Sequence, residues 1–185
     1  IGTGKIGMTF VDICRGMGMN VIAYDPYPAQ GFLEYVPLDE LFRRSDVISL
    51  HCPLTADTYH VITPRSLAVM KDRVFILNTS RGALIDSEAL IEAIKSGKVG
   101  GAGLDVYEEE SEFFYEDLSE FVLQDDVLAR LIAMPNVLVT SHQAFLTKEA
   151  LRRIAEITLG NLKSYFDGEE LENAIITKRK IFTTD

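Results

Sequence analysis

The chain opens with Ile1-Gly2-Thr3-Gly4-Lys5-Ile6-Gly7, in which glycines occupy the first, third and sixth positions of a motif that begins at Gly2. Glycine permits a tight turn and lets the backbone approach a ligand closely. Apolar residues then recur with helical spacing over Ile6–Arg15, so the turn is predicted to lead directly into a helix. The free N–H groups at the start of such a helix favour a phosphate group.

An acidic residue follows this motif at the spacing of a dinucleotide-binding unit. Asp25 ends the apolar run Met19–Asp25 and stands 18 residues after Gly7. A carboxylate at this position accepts hydrogen bonds from ribose hydroxyls and disfavours the 2′-phosphate of NADP. Asp25 is also suited to form a turn before Pro26, and both roles can hold at once. Motif and acid together predict dinucleotide binding, with NAD as the cofactor.

The rest of the sequence alternates between short apolar runs and helical patterns. Continuous apolar runs of this length are typical of strands that are buried on both faces of a parallel sheet. The predicted strands are Met19–Asp25, Asp46–Cys52, Arg73–Thr79, Gly101–Tyr107 and Asn136–His142. The predicted helices are Ile6–Arg15, Leu38–Arg43, Pro64–Met70 after the N-cap candidate Thr63, Ser87–Lys95 and Thr147–Phe166. This pattern predicts an α/β fold with a Rossmann-like, doubly wound parallel sheet whose first strand is largely missing.

Composition excludes several classes of function. Lys plus Arg is 18 and Asp plus Glu is 28, which gives a formal net charge of -10. An acidic chain repels phosphate backbones and anionic lipid, so we expect no binding to nucleic acid or membrane. Cys14 and Cys52 form no CxxC pair and are interpreted as buried thiols in a reducing cytoplasm. His51, His60 and His142 lack the spacing of metal ligands, so no metal site is predicted.

Three residues with catalytic potential stand at or just past predicted strand ends, where doubly wound sheets bind their ligands. Arg81 offers a planar fork for a carboxylate, His142 can carry a proton near neutral pH, and Glu110 can stabilise the charged imidazolium. Together they suit the reduction of a 2-keto acid. Each residue taken alone is also consistent with a structural role, and Glu110 lies in a run of three acids that can simply be solvated.

A long segment, Glu108–Pro135, separates the last two predicted strands and is rich in acidic and aromatic residues. One interpretation is a solvated surface excursion with one amphipathic helix. We favour a loop beside the active site, because long excursions at strand ends are often functional.

Six segments, in order and with their spacing, resemble the D-isomer-specific 2-hydroxyacid dehydrogenase family. They are Gly2–Gly7, Asp25-Pro26, His51–Thr55 (HCPLT), Asn78–Gly82 (NTSRG), Leu104–Tyr107 (LDVY) and Ser141-His142. The resemblance implies an NAD-binding Rossmann domain over residues 1–170 that is truncated at its N-terminus, and a C-terminal tail over 171–185. The substrate domain of the family, which lies mostly before the glycine motif, is absent from this sequence.

The resemblance also implies a role for each matching residue. Arg81 binds and polarises the keto acid, His142 is the general acid/base, and Glu110 is its partner. The spacing Asp-x-x-x-x-Glu from Asp105 selects Glu110 over Glu108 and Glu109. The residues assigned to cofactor binding are Gly2, Gly4, Lys5, Ile6, Gly7, Asp25, Cys52, Pro53, Thr58, Asn78, Thr79, Ser80, Arg81 and Asp105.

Within the family, the segments Asp105–Glu108, Phe113-Phe114 and Ser141–Thr147 resemble the branch that interconverts pyruvate and D-lactate. The implied protein is a cytoplasmic, NAD-dependent enzyme that forms a homodimer when complete. Residues 1–185 alone are then expected to be inactive and to fold poorly. Two alternatives stay open at this point. One is a non-catalytic NAD-sensing module, because the family includes transcriptional corepressors, and the other is a domain that binds a different adenine cofactor, such as S-adenosylmethionine.

Overall fold

Parallel strands form the centre of the first of two units into which the chain divides, Ile1–Ala144 and Phe145–Asp185. A computed structural model describes residues 1–29, 31, 33–108, 126–171 and 173–174. The strands are β1 (Ile22–Ala23), β2 (Glu34–Tyr35), β3 (Val47–Leu50), β4 (Val74–Asn78), β5 (Val99–Leu104) and β6 (Val137–Val139). β1 pairs with β2, and a second sheet has the order β3-β4-β5-β6, with every pairing parallel.

Ile1 and Gly2 lie between these two sheets. The Gly2 N–H donates to the Tyr24 carbonyl at 2.9 Å, and the Ile1 carbonyl accepts from the His51 N–H at 2.8 Å. The backbone at Ile1 therefore occupies the position that a strand between β1 and β3 takes in a doubly wound sheet. The predicted α/β, Rossmann-like fold is confirmed.

The helices of this unit begin and end close to the predicted residues. They are α1 (Lys5–Gly16), α2 (Leu38–Arg44), α3 (Pro64–Val69), α4 (Ser87–Lys95) and α5 (Asp126–Ile132), with a 3-10 turn at Gly82–Leu84. Thr63 caps α3 as predicted: its hydroxyl accepts from Ser66 N–H at 3.2 Å. α5 falls inside the excursion Glu108–Pro135, of which residues 109–125 lie outside the described part of the chain.

The core of the first unit packs against one face of the larger sheet. Along β4, Val74 and Ile76 are buried, whereas Phe75 is 48% exposed. Helices α2 to α5 contribute buried residues to the same core as these strands, namely Phe42, Leu67, Leu90 and Leu131. The prediction that the strands are buried on both faces is therefore wrong within this unit. The reason is that these four helices cover one face, while α1 packs Val11 into a separate, smaller cluster.

The second unit contains one long helix in its described part, α6 (Lys148–Asp167). The Thr147 hydroxyl accepts from the Ala150 N–H at 3.1 Å and starts the helix, and Gly168 ends it with a left-handed φ of 71°. These bounds agree with the predicted helix within one residue. Among the described residues, no helix combines the length and apolarity that crossing a membrane requires.

Candidate active site and cofactor-binding loop

The glycine-rich turn at the start of α1 depends on its glycines for two different reasons. A Cβ on Gly2, whose φ is 87°, would lie 2.6 Å from Cys52 N, and a Cβ on Gly7 would lie 2.1 Å from the Gly2 carbonyl oxygen. These two glycines permit the turn and its packing on the strand end. A Cβ on Gly4 meets nothing within 4 Å. Gly4 therefore faces open space, where a bulky ligand can approach the backbone.

The N-terminus of α1 is suited to hold an anion. Its N-cap is Gly4, which makes no side-chain cap, and its first turn contains no acidic residue. The N–H groups there keep their capacity to donate, and the helix dipole places partial positive charge at the same point. Lys5 and Ile6 are both exposed beside it. The residues present therefore fit the pyrophosphate of a dinucleotide.

Asp25 lies two residues after the end of β1, and hydrogen bonds from the neighbouring loops hold its carboxylate in place. Its Oδ2 accepts from the Thr3 N–H at 2.7 Å and the Thr3 hydroxyl at 3.0 Å, and its Oδ1 accepts from the Tyr27 N–H at 2.9 Å. Burial alone would raise the pKa of Asp25, but these hydrogen bonds outweigh it and lower the pKa below its usual value. The group is an oriented, charged acceptor that is partly accessible to a ribose.

Tyr35 and Thr3 belong to the same hydrogen-bond network, and neither residue was predicted to be part of the site. The Tyr35 hydroxyl donates to Thr3 Oγ1 at 3.0 Å and accepts from the Ala29 N–H at 3.1 Å. Tyr35 lies in β2, a two-residue strand that is not part of an apolar run in the sequence. Its contact with Thr3 spans 32 residues, so no local pattern could have revealed it.

His51 lies beneath the glycine-rich turn, in contact with the positions of Gly2 and Gly7. Burial lowers the pKa of His51 to about 4, so its imidazole is neutral at pH 7. Its Nε2 lies 2.9 Å from Ser49 Oγ, and its ring packs on Phe10 of α1. His51 therefore supports the loop as a neutral, packed side chain.

Arg81 lies in the loop after β4, and hydrogen bonds from the Asn78 side chain hold the backbone of this loop. The Asn78 side chain is fully buried; its Nδ2 donates to the Arg81 carbonyl at 2.9 Å, and its Oδ1 accepts from the Ser80 N–H at 3.1 Å. Ser80 Oγ in turn donates to the Cys52 carbonyl at 2.7 Å. The Arg81 guanidinium is exposed, and in the described part of the chain no carboxylate pairs with it. A cation presented in this way can bind a substrate carboxylate.

His142 lies in a tight turn after β6 that Asp105 organises. The buried Asp105 carboxylate accepts from the Thr140 hydroxyl at 2.6 Å, the Gln143 N–H at 2.9 Å and the Ala144 N–H at 3.0 Å. The His142 N–H donates to the Asp105 carbonyl at 2.7 Å, and His142 adopts a left-handed φ of 51°. Few non-glycine residues adopt this conformation, so the turn fixes the direction in which the His142 side chain leaves the backbone.

Arg81 and His142 follow β4 and β6, which flank β5, so they stand two strands apart at one edge of the sheet. Neighbouring strands lie ~4.8 Å apart, which separates the two strand ends by about 10 Å. A cleft of about 520 Å³ lies between α1 and the carboxyl-terminal part of the larger sheet, and neither Arg81 nor His142 is among its lining residues. Its polar lining includes Lys5, Thr79, Asp105 and Thr140. Glu110, the third predicted catalytic residue, lies outside the described residues.

The other predicted cofactor residues lie at the same edge. Thr58 Oγ1 donates to the Pro53 carbonyl at 2.7 Å, and Thr79 is exposed directly after β4. Cys52, Asn78 and Asp105 are buried and hold loops in place, so their assignment to direct cofactor contact stays a prediction. Among the described residues, no group of three His, Cys, Asp or Glu side chains could hold a metal ion.

A parallel sheet with a glycine-rich turn before its first helix and an oriented carboxylate at the next strand end defines a dinucleotide-binding domain. Residues 1–144 match the family model described as D-isomer specific 2-hydroxyacid dehydrogenase, NAD binding domain. The chain therefore belongs to the D-isomer-specific 2-hydroxyacid dehydrogenase family, and the matched region is its NAD-binding domain.

Individual relatives agree with this assignment. The chain is 53% identical to D-lactate dehydrogenase of Escherichia coli strain K12 over 180 residues, which cover 95% of this chain and 55% of that protein. It is 49% identical over 169 residues to an aromatic 2-oxoacid reductase of Clostridium sporogenes, covering 89% of this chain and 51% of the reductase. The crystal structure of a Treponema pallidum D-lactate dehydrogenase superposes with a TM-score of 0.88 at 40% identity, covering 95% of this chain and 54% of that one. The chain thus spans about half the length of these relatives.

Proposed function

We propose that the complete protein is an NAD-dependent dehydrogenase that transfers hydride between NAD(H) and a 2-keto or 2-hydroxy acid, with pyruvate and D-lactate as the substrate pair. One observation carries the proposal: the Asp105 carboxylate holds the His142 turn at the same sheet edge as Arg81, which is exposed and has no carboxylate partner in the described part of the chain. The D-lactate dehydrogenase relatives support the substrate pair. The Clostridium sporogenes reductase is named for a different 2-oxo acid, so the shared feature is the oxo acid group.

Each residue of this chain then has a definite task. The N–H groups at the start of α1 hold the pyrophosphate, and Asp25 accepts hydrogen bonds from the adenosine ribose. Bound NAD(H) donates or accepts the hydride. The Arg81 fork binds the substrate carboxylate and fixes its orientation. His142 donates a proton to the keto oxygen in reduction and removes it in oxidation, and Glu110 stabilises the protonated imidazole.

The remaining expectations about the complete protein are also proposals. We infer a homodimer that works in the cytoplasm and binds neither nucleic acid nor membrane. The net charge of -10 supports the last two points, because it repels polyanions. The relatives described above are dehydrogenases and a reductase, which gives no support to a non-catalytic, corepressor-like module. The NAD-binding family model likewise favours NAD over S-adenosylmethionine.

The test compares two variants of the complete protein in steady-state pyruvate reduction. His142→Ala is expected to lower kcat by about 10² or more, the scale of lost acid–base catalysis. Arg81→Lys is expected mainly to raise KM for pyruvate, because an ammonium cannot reproduce the bidentate fork. The dissociation constant of NADH, followed by fluorescence, serves as the control and stays unchanged in both. Parent-like kcat in His142→Ala would remove His142 from the proposed mechanism.

A further inference from the structure

Glu108, the residue after Tyr107, joins three segments of the first unit. Its Oε1 lies 2.5 Å from His60 Nε2 in the loop before α3, and 3.4 Å from the Tyr59 hydroxyl. Its Oε2 lies 3.4 Å from the Ser87 N–H at the start of α4. Both partners of the short bond are about three-quarters buried, with side-chain exposures of 24% for His60 and 25% for Glu108. The Glu108 carboxylate and the His60 imidazole are therefore in direct hydrogen-bond contact at a largely buried position.

His60 is itself fixed from several directions. Its backbone has a left-handed φ of 49°, and its N–H donates to the Ala83 carbonyl at 2.9 Å. The Tyr59 ring stacks on its imidazole at 3.9 Å. A left-handed histidine persists only where its surroundings determine it, and here the bonds to Ala83 and Glu108 do so.

His60 and Glu108 also lie on either side of the backbone that follows Arg81. A Cβ on Gly82 would lie 1.8 Å from the Tyr107 carbonyl oxygen and 2.6 Å from Glu108 N, so the chain at Gly82 packs directly on the segment that carries Glu108. The next residue, Ala83, accepts the hydrogen bond from His60. Gly82 and Ala83 are thus held between the two partners of the His60–Glu108 pair.

We infer that His60 and Glu108 are a positioning pair for Arg81. Neither residue is assigned to the substrate; the pair acts through Gly82 and Ala83 to set the direction in which the Arg81 fork leaves the sheet edge. Glu108 therefore has a different role from the one predicted for Glu110, because its carboxylate already contacts the loop before α3 and the start of α4. The inference rests on the proposed function, in which Arg81 binds the carboxylate of the oxo acid.

Four variants of the complete protein test the pair. Glu108→Ala removes the acceptor, and His60→Asn removes the imidazole with a residue that tolerates a left-handed backbone. Each is expected to raise KM for pyruvate about tenfold with kcat nearly unchanged, because a displaced Arg81 weakens ground-state and transition-state binding alike. Glu108→Gln keeps an acceptor oxygen and stays within about threefold of the parent. Glu92→Ala, which breaks exposed ion pairs on α4, is the matched control and leaves KM unchanged.

The double variant His60→Asn/Glu108→Ala separates positioning from general damage. If the two residues act as a pair, its KM is no higher than that of either single variant. The inference is overturned if the KM increases of the two single variants multiply in the double variant. It is also overturned if Glu108→Ala has a parent-like KM, or if the NADH dissociation constant rises in parallel with KM. Arg81→Lys is measured alongside. If it raises KM and Glu108→Ala does not, the pair is wrong and the proposed function survives; if Arg81→Lys leaves KM unchanged, both fail.

Discussion

Two aspartates occupy equivalent places in the first unit and have different roles. Asp25 follows β1 and Asp105 follows β5, and each accepts backbone N–H groups from a neighbouring loop. Burial raises the pKa of both carboxyl groups, but hydrogen bonds outweigh it and lower the pKa: for Asp25 chiefly the bond from the Thr3 N–H, and for Asp105 chiefly the bond from the Thr140 hydroxyl. Asp25 stays partly accessible, whereas Asp105 is only 5% exposed.

The difference lies in the chain that crosses each strand end. At β1 the donors come from the glycine-rich turn and from Tyr27, which leave one side of the Asp25 carboxylate open. At β5 the segment Thr140–Ala144 folds over Asp105 and encloses it. The same residue type at the same topological position is therefore partly accessible in one case and a scaffold for the His142 turn in the other.

The largest effect is expected from Asp105→Asn in the complete protein. The new amide keeps one acceptor oxygen but places an NH2 donor against either the Gln143 or the Ala144 N–H, so the His142 turn loses part of its anchor together with the charge. We expect kcat for pyruvate reduction to fall about 10²-fold, the scale of a misplaced catalytic group, and the free energy of unfolding to fall by ~1–3 kcal/mol. Steady-state kinetics and urea denaturation measure the two effects. Asp46→Asn, at an exposed ion pair with Lys71, is the control; equal kcat in both variants would refute the scaffold role.

A smaller and more selective effect is expected from Asp25→Ala. The parent protein is expected to prefer NADH to NADPH, because the Asp25 carboxylate faces the position of a 2′-phosphate. Removing it narrows the ratio of kcat/KM for the two cofactors by about tenfold while kcat with NADH changes little, since one charge contact is lost. Equal kcat/KM for NADH and NADPH in the parent would contradict this assignment.

The pH dependence of the unfolding free energy tests the role of the Asp105 carboxylate independently of activity. The folded pKa of Asp105 lies below its usual value of 3.8, so its charged form stabilises the folded protein fully at neutral pH. That contribution is lost as the pH falls from about 4 through the folded pKa. The difference in unfolding free energy between the parent and Asp105→Asn is therefore expected to shrink between pH 5 and pH 3, measured by urea denaturation. A difference that stays constant over this range would show that the Asp105 charge contributes nothing.

The smallest effect is expected from Tyr35→Phe, which removes the hydrogen bond to Thr3 Oγ1 behind Asp25 and the one from the Ala29 N–H. Thr3 still donates to Asp25, so the carboxylate loosens without losing its charge. We expect the NADH to NADPH preference to narrow only about two- to threefold, as for one neutral hydrogen bond. The exposed Tyr27 offers the control Tyr27→Phe, which leaves the backbone donor to Asp25 in place. A change equal to that of Asp25→Ala would assign Tyr35 a larger role than positioning.

Much of the fold could be predicted because its signals are local. The glycine motif, the Thr63 cap and the apolar runs each depend on residues close in sequence, and the corresponding helices begin within one residue of the predicted ones. β2 was missed because two residues, Glu34 and Tyr35, carry no periodic pattern. One-sided burial of the strands was also missed, since an apolar run does not reveal which face a helix covers.

The candidate site likewise contains residues that could be predicted from sequence and residues that could not. Arg81, His142 and Asp25 could be chosen from sequence, because their residue types suit the chemistry and parallel strands bring their ends to one edge. The Tyr35–Thr3 contact spans 32 residues and the His60–Glu108 contact spans 48, and no local pattern encodes either pair. Placement of Glu110 at the site stays a prediction from its spacing to Asp105.

By itself, the sequence determined the class of the sheet, the dinucleotide-binding turn and the residue types available for catalysis, because periodicity and motif spacing are properties of neighbouring residues. Only the tertiary structure decided that Asp105 supports the His142 turn and Asp25 remains open, and that Glu108 contacts His60. The physical reason is that a carboxylate's role depends on which distant N–H groups and side chains reach it, and strand order and loop packing bring those groups there.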